Sequence, residues 1–135
     1  MSAPFRIEAL TSQHDRSTFD CGSEPLNRYF RQQVTQDARR RVTACYVAVE
    51  QGRGLLAGYY TVASSSVPLT DLPQAVTRKL PRYPSVPAVR MGRLAVDQQF
   101  RGKGLGAAML ADALARSVKA EIAAYALVVA QPKLS

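Results

Sequence analysis

The chain has one histidine, two cysteines and no long apolar run. A lone His14, with Cys21 and Cys45 sharing no ligand-like spacing, leaves too few donors for a zinc-type centre, so no metal is expected. Two thiols without such a pattern read as free, buried groups in a reducing compartment. The longest apolar stretch near the end, Ile122–Ala130, is strand-sized and too short to cross a bilayer. Met1–Arg6 carries no apolar signal segment. The expectation is a cytoplasmic protein with no membrane association. Acidic residues are scarce too: ten Asp and Glu stand against eighteen Lys and Arg, giving a net charge of +8. That imbalance suits polyanionic partners such as nucleic acid, an acidic protein or a phosphorylated cofactor. A merely solubilising surface accounts for it equally well.

What is present fits one domain of 135 residues with enough apolar content for a core. The alternation of Phe5–Leu10 predicts a first strand. A short turn or helix is expected from His14 to Phe19. Ser23 is placed as the cap of a helix with Pro25 in its first turn. Leu26, Tyr29, Phe30, Val34 and Ala38 recur on one face of it, and Arg39-Arg40-Arg41 close it with cations that complement the dipole. Thr43–Glu50 reads as a strand, Gln51-Gly52-Arg53-Gly54 as a hairpin turn and Leu55–Val67 as the returning strand, with Gly58 at a bulge. Five prolines, at 68, 73, 81, 84 and 87, make Leu69–Pro87 irregular apart from a short helix at Asp71–Lys79. Val89–Val96 is the next strand. Gly104–Lys119 is a helix with Leu105, Met109, Leu110, Ala113, Leu114 and Val118 as its apolar stripe. Tyr125–Val129 is the last strand. No repeat or linker interrupts this order, which is that of a mixed α/β (α+β) domain.

The chemistry concentrates in Arg101-Gly102-Lys103-Gly104-Leu105-Gly106, which follows Gly92-Arg93-Leu94-Ala95-Val96-Asp97. Glycines let backbone N–H groups face an anion, and the start of a helix adds partial positive charge, so this is a seat for a pyrophosphate. A dinucleotide fold is disfavoured, because Asp97–Arg101 separate the strand from the first glycine and Glu121 precedes the next strand instead of ending it. A Walker loop is excluded, because Gly104 follows Lys103 where Ser or Thr is required.

These residues resemble the acetyl-CoA motif of the GNAT acetyltransferase superfamily. Phe19, Cys21-Gly22, Leu26-Asn27, Tyr29, the Arg39–Val42 run, Gly58-Tyr59-Tyr60 and Pro87–Arg93 resemble, more narrowly, the GNAT toxins of bacterial toxin–antitoxin pairs. The resemblance runs from about Phe5 to Val129. It implies a mixed central sheet flanked by helices, in which two parallel strands, here Val89–Val96 and Tyr125–Val129, part around the pantetheine arm of acetyl-CoA. Leu94, Ala95 and Val96 would pair with that arm, and a backbone N–H there would polarise the thioester carbonyl. The N–H groups of Arg101, Gly102, Lys103, Gly104, Leu105 and Gly106 would hold the pyrophosphate. Attack by an amine is direct, so neither cysteine is a nucleophile. In the toxin subgroup the acceptor is the amine of aminoacyl-tRNA and its acetylation blocks translation. Arg39, Arg40, Arg41, Arg78, Lys79, Arg82, Arg90 and Arg93 are then the RNA-facing cations, and a small DNA-binding antitoxin is the protein partner.

The family continues with a helix whose tyrosine protonates the leaving thiolate. The residues Val128–Ser135 do not resemble that continuation, so a domain incomplete at its C-terminus is expected, lacking the last helix and strands and with turnover impaired. No catalytic residue is assigned. The exposed edge of the last strand is expected to pair with a second copy. Two alternatives stand beside the toxin reading: a catalytically degenerate module that binds coenzyme A or antitoxin, and a GNAT enzyme acting on a small amine or a protein lysine.

Overall fold

The computed structural model describes residues 4–40, 43–68, 85–119 and 126–129. Five strands form one sheet in the order β1 (Phe5–Ala9), β2 (Ala44–Glu50), β3 (Leu56–Pro68), β4 (Ser85–Val96) and β5 (Ala126–Val129). The first four pair antiparallel, and β5 joins β4 in parallel after the crossover helix α3 (Leu105–Lys119). α1 (Glu24–Arg28) and α2 (Val34–Arg39) flank a π-helical turn, Tyr29–Gln33.

Alternation along the strands divides the core. Val47, Val49, Leu56, Tyr59 and Ala95 face the first helical layer, where they meet Phe19, Tyr29, Phe30 and Val34. Ala48, Ala57, Tyr60 and Met91 face Leu105, Met109 and Ala113 of α3. Phe30 stacks on Tyr59 with ring centroids 4.2 Å apart, and Phe19 meets both edge-on. On the α3 face the Tyr60 hydroxyl donates to Asp112 (2.6 Å), which also accepts from Arg116 (2.7 Å).

The strand order agrees with the sequence reading; several details differ. The helix expected from Ser23 is not one α-helix. The π turn widens its buried face so that Tyr29, Phe30 and Val34 all enter the core, while Ala38 is exposed. The Ser23 side chain makes no cap. The Asp20 carboxylate organises this corner instead, accepting from the Gly22 N–H (2.8 Å) and from Asn27 (2.9 Å). These bonds, that of Asn27 foremost, hold the Asp20 carboxyl below its ordinary range. Leu110 and Leu114 are 40% and 52% exposed, so α3 buries a narrower stripe than its composition implies. Residues 14–19 form turns, one of the two forms expected there, whereas β4 starts earlier than expected, at Ser85, and runs through Pro87. The helix expected at Asp71–Lys79 lies outside the described residues.

Register irregularities replace simple alternation at two points. Ala48 pairs with Gly58 and Val49 with Leu56, so Ala57 is the extra residue of a bulge beside Gly58. A Cβ at Gly58 would lie 2.9 Å from the Ala95 carbonyl oxygen and 2.9 Å from Met109 Cε, so no larger residue fits between β4 and α3. Thr61 pairs with Arg93 and Val62 with Met91, leaving Gly92 as the extra residue on β4.

Candidate acetyl-coenzyme A site

The Gly92 bulge directly follows the last described pairing of β4 with β5, Met91↔Val129. Pairing with β5 runs from Ala88↔Ala126 to Met91↔Val129. Among the described residues, no strand continues beside β4 from Gly92 to Val96, although β3 pairs with it as far as Val96. A strand paired on one edge presents alternate N–H and C=O groups on the other. Leu94, Ala95 and Val96 thus offer main-chain groups to an extended ligand. Their side chains are spent on the core: Leu94 and Val96 pack on the α3 side and Ala95 on the other.

Asp97 fixes the turn that follows. It is 5% exposed; Oδ1 accepts from the Gln99 N–H (2.9 Å) and Oδ2 from the Asp20 N–H (3.0 Å). The Asp97 N–H donates to the Ala57 carbonyl (2.8 Å), and the Gln98 N–H donates to that of Asp20 (2.9 Å). A 3-10 turn, Gln98–Phe100, seats Phe100 in the core. The Arg101 guanidinium donates to the Cys21 carbonyl. Its side chain therefore clips two loops together, and its backbone N–H stays among the amides of the turn.

Gly102 and Gly104 have φ of +77° and +75°, and a Cβ on either would meet nothing within 4 Å. Backbone handedness, not crowding, calls for glycine at both. At Gly106 a Cβ would make ordinary contact with Leu94 at 3.8 Å, so neither reason applies. Residues 101–104 are exposed. Among the described residues, no protein group outside α3 accepts from the N–H groups of residues 101–106. These amides and Lys103 surround the start of α3, where helix geometry leaves the first N–H groups without partners.

The cations expected to face RNA divide. Arg39 and Arg40 are exposed at the end of α2, and Arg90 is exposed on β4. Arg41, Arg78, Lys79 and Arg82 lie outside the described residues. Arg93 is half-buried, with its guanidinium carbon 3.5 Å from the centroid of the Tyr29 ring. The Tyr29 hydroxyl donates to Asp37 (2.8 Å), and burial, with that bond, pushes it up to about 12. Composition could not have singled out this trio, because a π turn brings Tyr29 to β4. A cavity of about 840 Å³ lies between Leu10–Ser12, α2 and the strands, with Arg16, Thr35, Arg39 and Ser64 among its lining. Cys45 also borders it, but burial pushes that thiol up to about 12, which removes it as a nucleophile at neutral pH. Among the described residues, no cluster of three His, Cys, Asp or Glu residues forms a metal site, and no helix is long and apolar enough to cross a membrane.

The mixed sheet with its parallel β4–β5 pair and crossover helix is the fold expected from the GNAT resemblance, and comparison with known proteins agrees. The family model described as acetyltransferase (GNAT) family matches residues 7–133. The chain belongs to the GNAT acetyltransferase family. It is 36% identical over 119 residues to a protein of Mycobacterium tuberculosis (strain ATCC 25618 / H37Rv) named tRNA-acetylating toxin, covering 88% of this chain and 68% of that one. It is 32% identical to a protein of Sinorhizobium fredii (strain NBRC 101917 / NGR234) named Probable toxin TacT, covering 82% of this chain and 61% of that one. The match thus spans about two thirds of these relatives. The solved structure of AtaT complexed with acetyl-methionyl-tRNAfMet superposes with a TM-score of 0.83 at 29% identity, over 96% of this chain and 79% of that one. A variant of AtaT bound to the C-terminus of the antitoxin AtaR and acetyl-CoA gives a TM-score of 0.74 at 26% identity, over 97% and 78%.

Proposed function

We propose that this chain is an N-acetyltransferase toxin that moves acetyl from acetyl-CoA to the amine of aminoacyl-tRNA and so blocks translation. The observation that carries the reading is the edge of β4 from Gly92 to Val96, which no strand among the described residues covers and which leads to the amides of residues 101–106. One turn holds the diphosphate, with Lys103 beside it. The pantetheine arm lies along Leu94–Val96 as a surrogate strand. The thioester then reaches the Gly92 bulge, where a main-chain N–H stabilises the oxyanion formed as the amine attacks. Arg39, Arg40, Arg41, Arg78, Lys79, Arg82, Arg90 and Arg93 hold the RNA. The toxin's partners are a small DNA-binding antitoxin and a second copy of the chain.

A second reading, a module that binds coenzyme A or antitoxin without turnover, draws support from the tyrosines. The hydroxyls of Tyr29, Tyr59 and Tyr60 already donate to Asp37, the Leu26 carbonyl and Asp112. Burial raises all three, so none is poised to protonate a leaving thiolate. Thiol release from acetyl-CoA, measured with and without aminoacyl-tRNA, separates the two. Release that depends on aminoacyl-tRNA is the expected result. Coenzyme A binding without release selects the second reading, and absence of coenzyme A binding overturns both.

A further inference from the structure

We propose that Arg93, held over the ring of Tyr29, grips a phosphate of the acceptor nucleic acid and lets the site tell an amine carried on RNA from a free amine. The inference rests on the acetyltransferase reading and deepens it.

Most described arginines with a fixed position serve the fold. Arg16 donates to the Phe30 carbonyl, Arg31 to that of Phe19, Arg101 to that of Cys21, and Arg116 pairs with Asp112. Arg39, Arg40 and Arg90 are exposed. Arg93 differs from both groups. Its position is set by a ring 3.5 Å away, and that ring is 4% exposed and tied through its hydroxyl to Asp37. Stacking fixes the guanidinium plane and consumes none of its N–H donors. Among the described residues, no carboxylate lies within ion-pair distance of it. A planar fork of donors fits two phosphate oxygens, whereas an ammonium offers only a point charge.

Position decides which phosphate. Arg93 directly follows the Gly92 bulge, just past the last described pairing of β4 with β5. Through Tyr29 it faces the first helical layer, as Ala95 does. The glycine turn opens α3, which covers the opposite face. An anion on Arg93 therefore approaches from the side away from the cofactor's diphosphate. It belongs to the second substrate. A free amine has no phosphate to place there.

The test uses the full chain and two titrations. One follows an RNA minihelix carrying an amide-linked 3′ amino acid by fluorescence anisotropy; the other follows coenzyme A by calorimetry. Arg93→Gln is expected to weaken minihelix binding about tenfold at low salt. It should also flatten the log–log salt slope by about 0.7 to 0.9, the loss of one phosphate contact. Coenzyme A affinity should stay within about twofold. Arg53→Gln removes the same charge from the exposed β2–β3 hairpin and is the control. Arg93→Lys should keep the slope and still lose about threefold in RNA affinity, because the fork is gone. The proposal is overturned if Arg93→Gln matches Arg53→Gln, if Arg93→Lys matches wild type, or if RNA and coenzyme A affinities fall together. Wild type that binds coenzyme A but no RNA overturns it and leaves the cofactor seat standing. Wild type that binds RNA but no coenzyme A removes the acetyltransferase reading instead.

Discussion

Gly104 separates two effects that a glycine-rich turn usually confounds. Its φ of +75° strains any L side chain, yet a Cβ there meets nothing within 4 Å. Gly104→Ala should therefore cost about 1 kcal/mol of stability and leave coenzyme A affinity nearly unchanged. Gly104→Asp adds the same strain and sets a carboxylate against the diphosphate, so affinity should fall by at least about tenfold. Calorimetry on both variants checks this; equal affinities would place the diphosphate elsewhere. The buried thiol and phenol give a second residue-scale expectation. Cys45 and Tyr29 are raised to about 12 from ordinary values of 9.0 and 10.0, chiefly by burial. The folded chain thus holds these protons more tightly than the unfolded chain does. Their contribution to stability is complete below about pH 9 and is lost as pH climbs towards 12. Melting temperature should decline between about pH 9 and about pH 11, and less so in Cys45→Ala. A level profile across that range contradicts the burial argument.

Elements were legible where one local rule governs them. Alternation marked β1 to β3, and the glycine turn marked the start of α3, because period and turn chemistry are written in neighbouring residues. What escaped depends on distant partners. Leu110 and Leu114 fit a helical stripe as well as Leu105 and Met109 do, but only the sheet decides which face is buried. Pro87 argued for a loop, yet the pairing of Ser66 with Pro87 lets β4 run through it. The π turn left no local signature. The expectation of a gap beside β4 came from the family resemblance alone, while the Arg93–Tyr29 stack needs the turn and the bulge together. Gly58 shows what such joints carry. With the Ala95 carbonyl and Met109 both 2.9 Å from its hypothetical Cβ, Gly58→Val must push backbone or α3 aside. Denaturant unfolding should register a loss of about 2 to 3 kcal/mol, and coenzyme A affinity should weaken with it because α3 opens at the glycine turn. A fully stable Gly58→Val protein would mean that β3 and α3 pack less tightly than described.

Across the whole molecule, two anions meet this chain by different physics. In the proposed function the diphosphate would be held largely by neutral amides at the head of α3, with one flanking lysine. The RNA would be held by a chain whose net charge is +8 and by the arginine over the Tyr29 ring. Neutral donors release few counterions, whereas each phosphate neutralised by a cation releases close to one. Raising salt from about 50 to about 200 mM should therefore cut minihelix affinity by more than about tenfold, and coenzyme A affinity by less than about threefold. Paired titrations at several salt concentrations give both slopes from one preparation. If coenzyme A proved as salt-sensitive as RNA, the diphosphate would be held by side-chain cations, and the amides of residues 101–106 would lose the role that their geometry gives them.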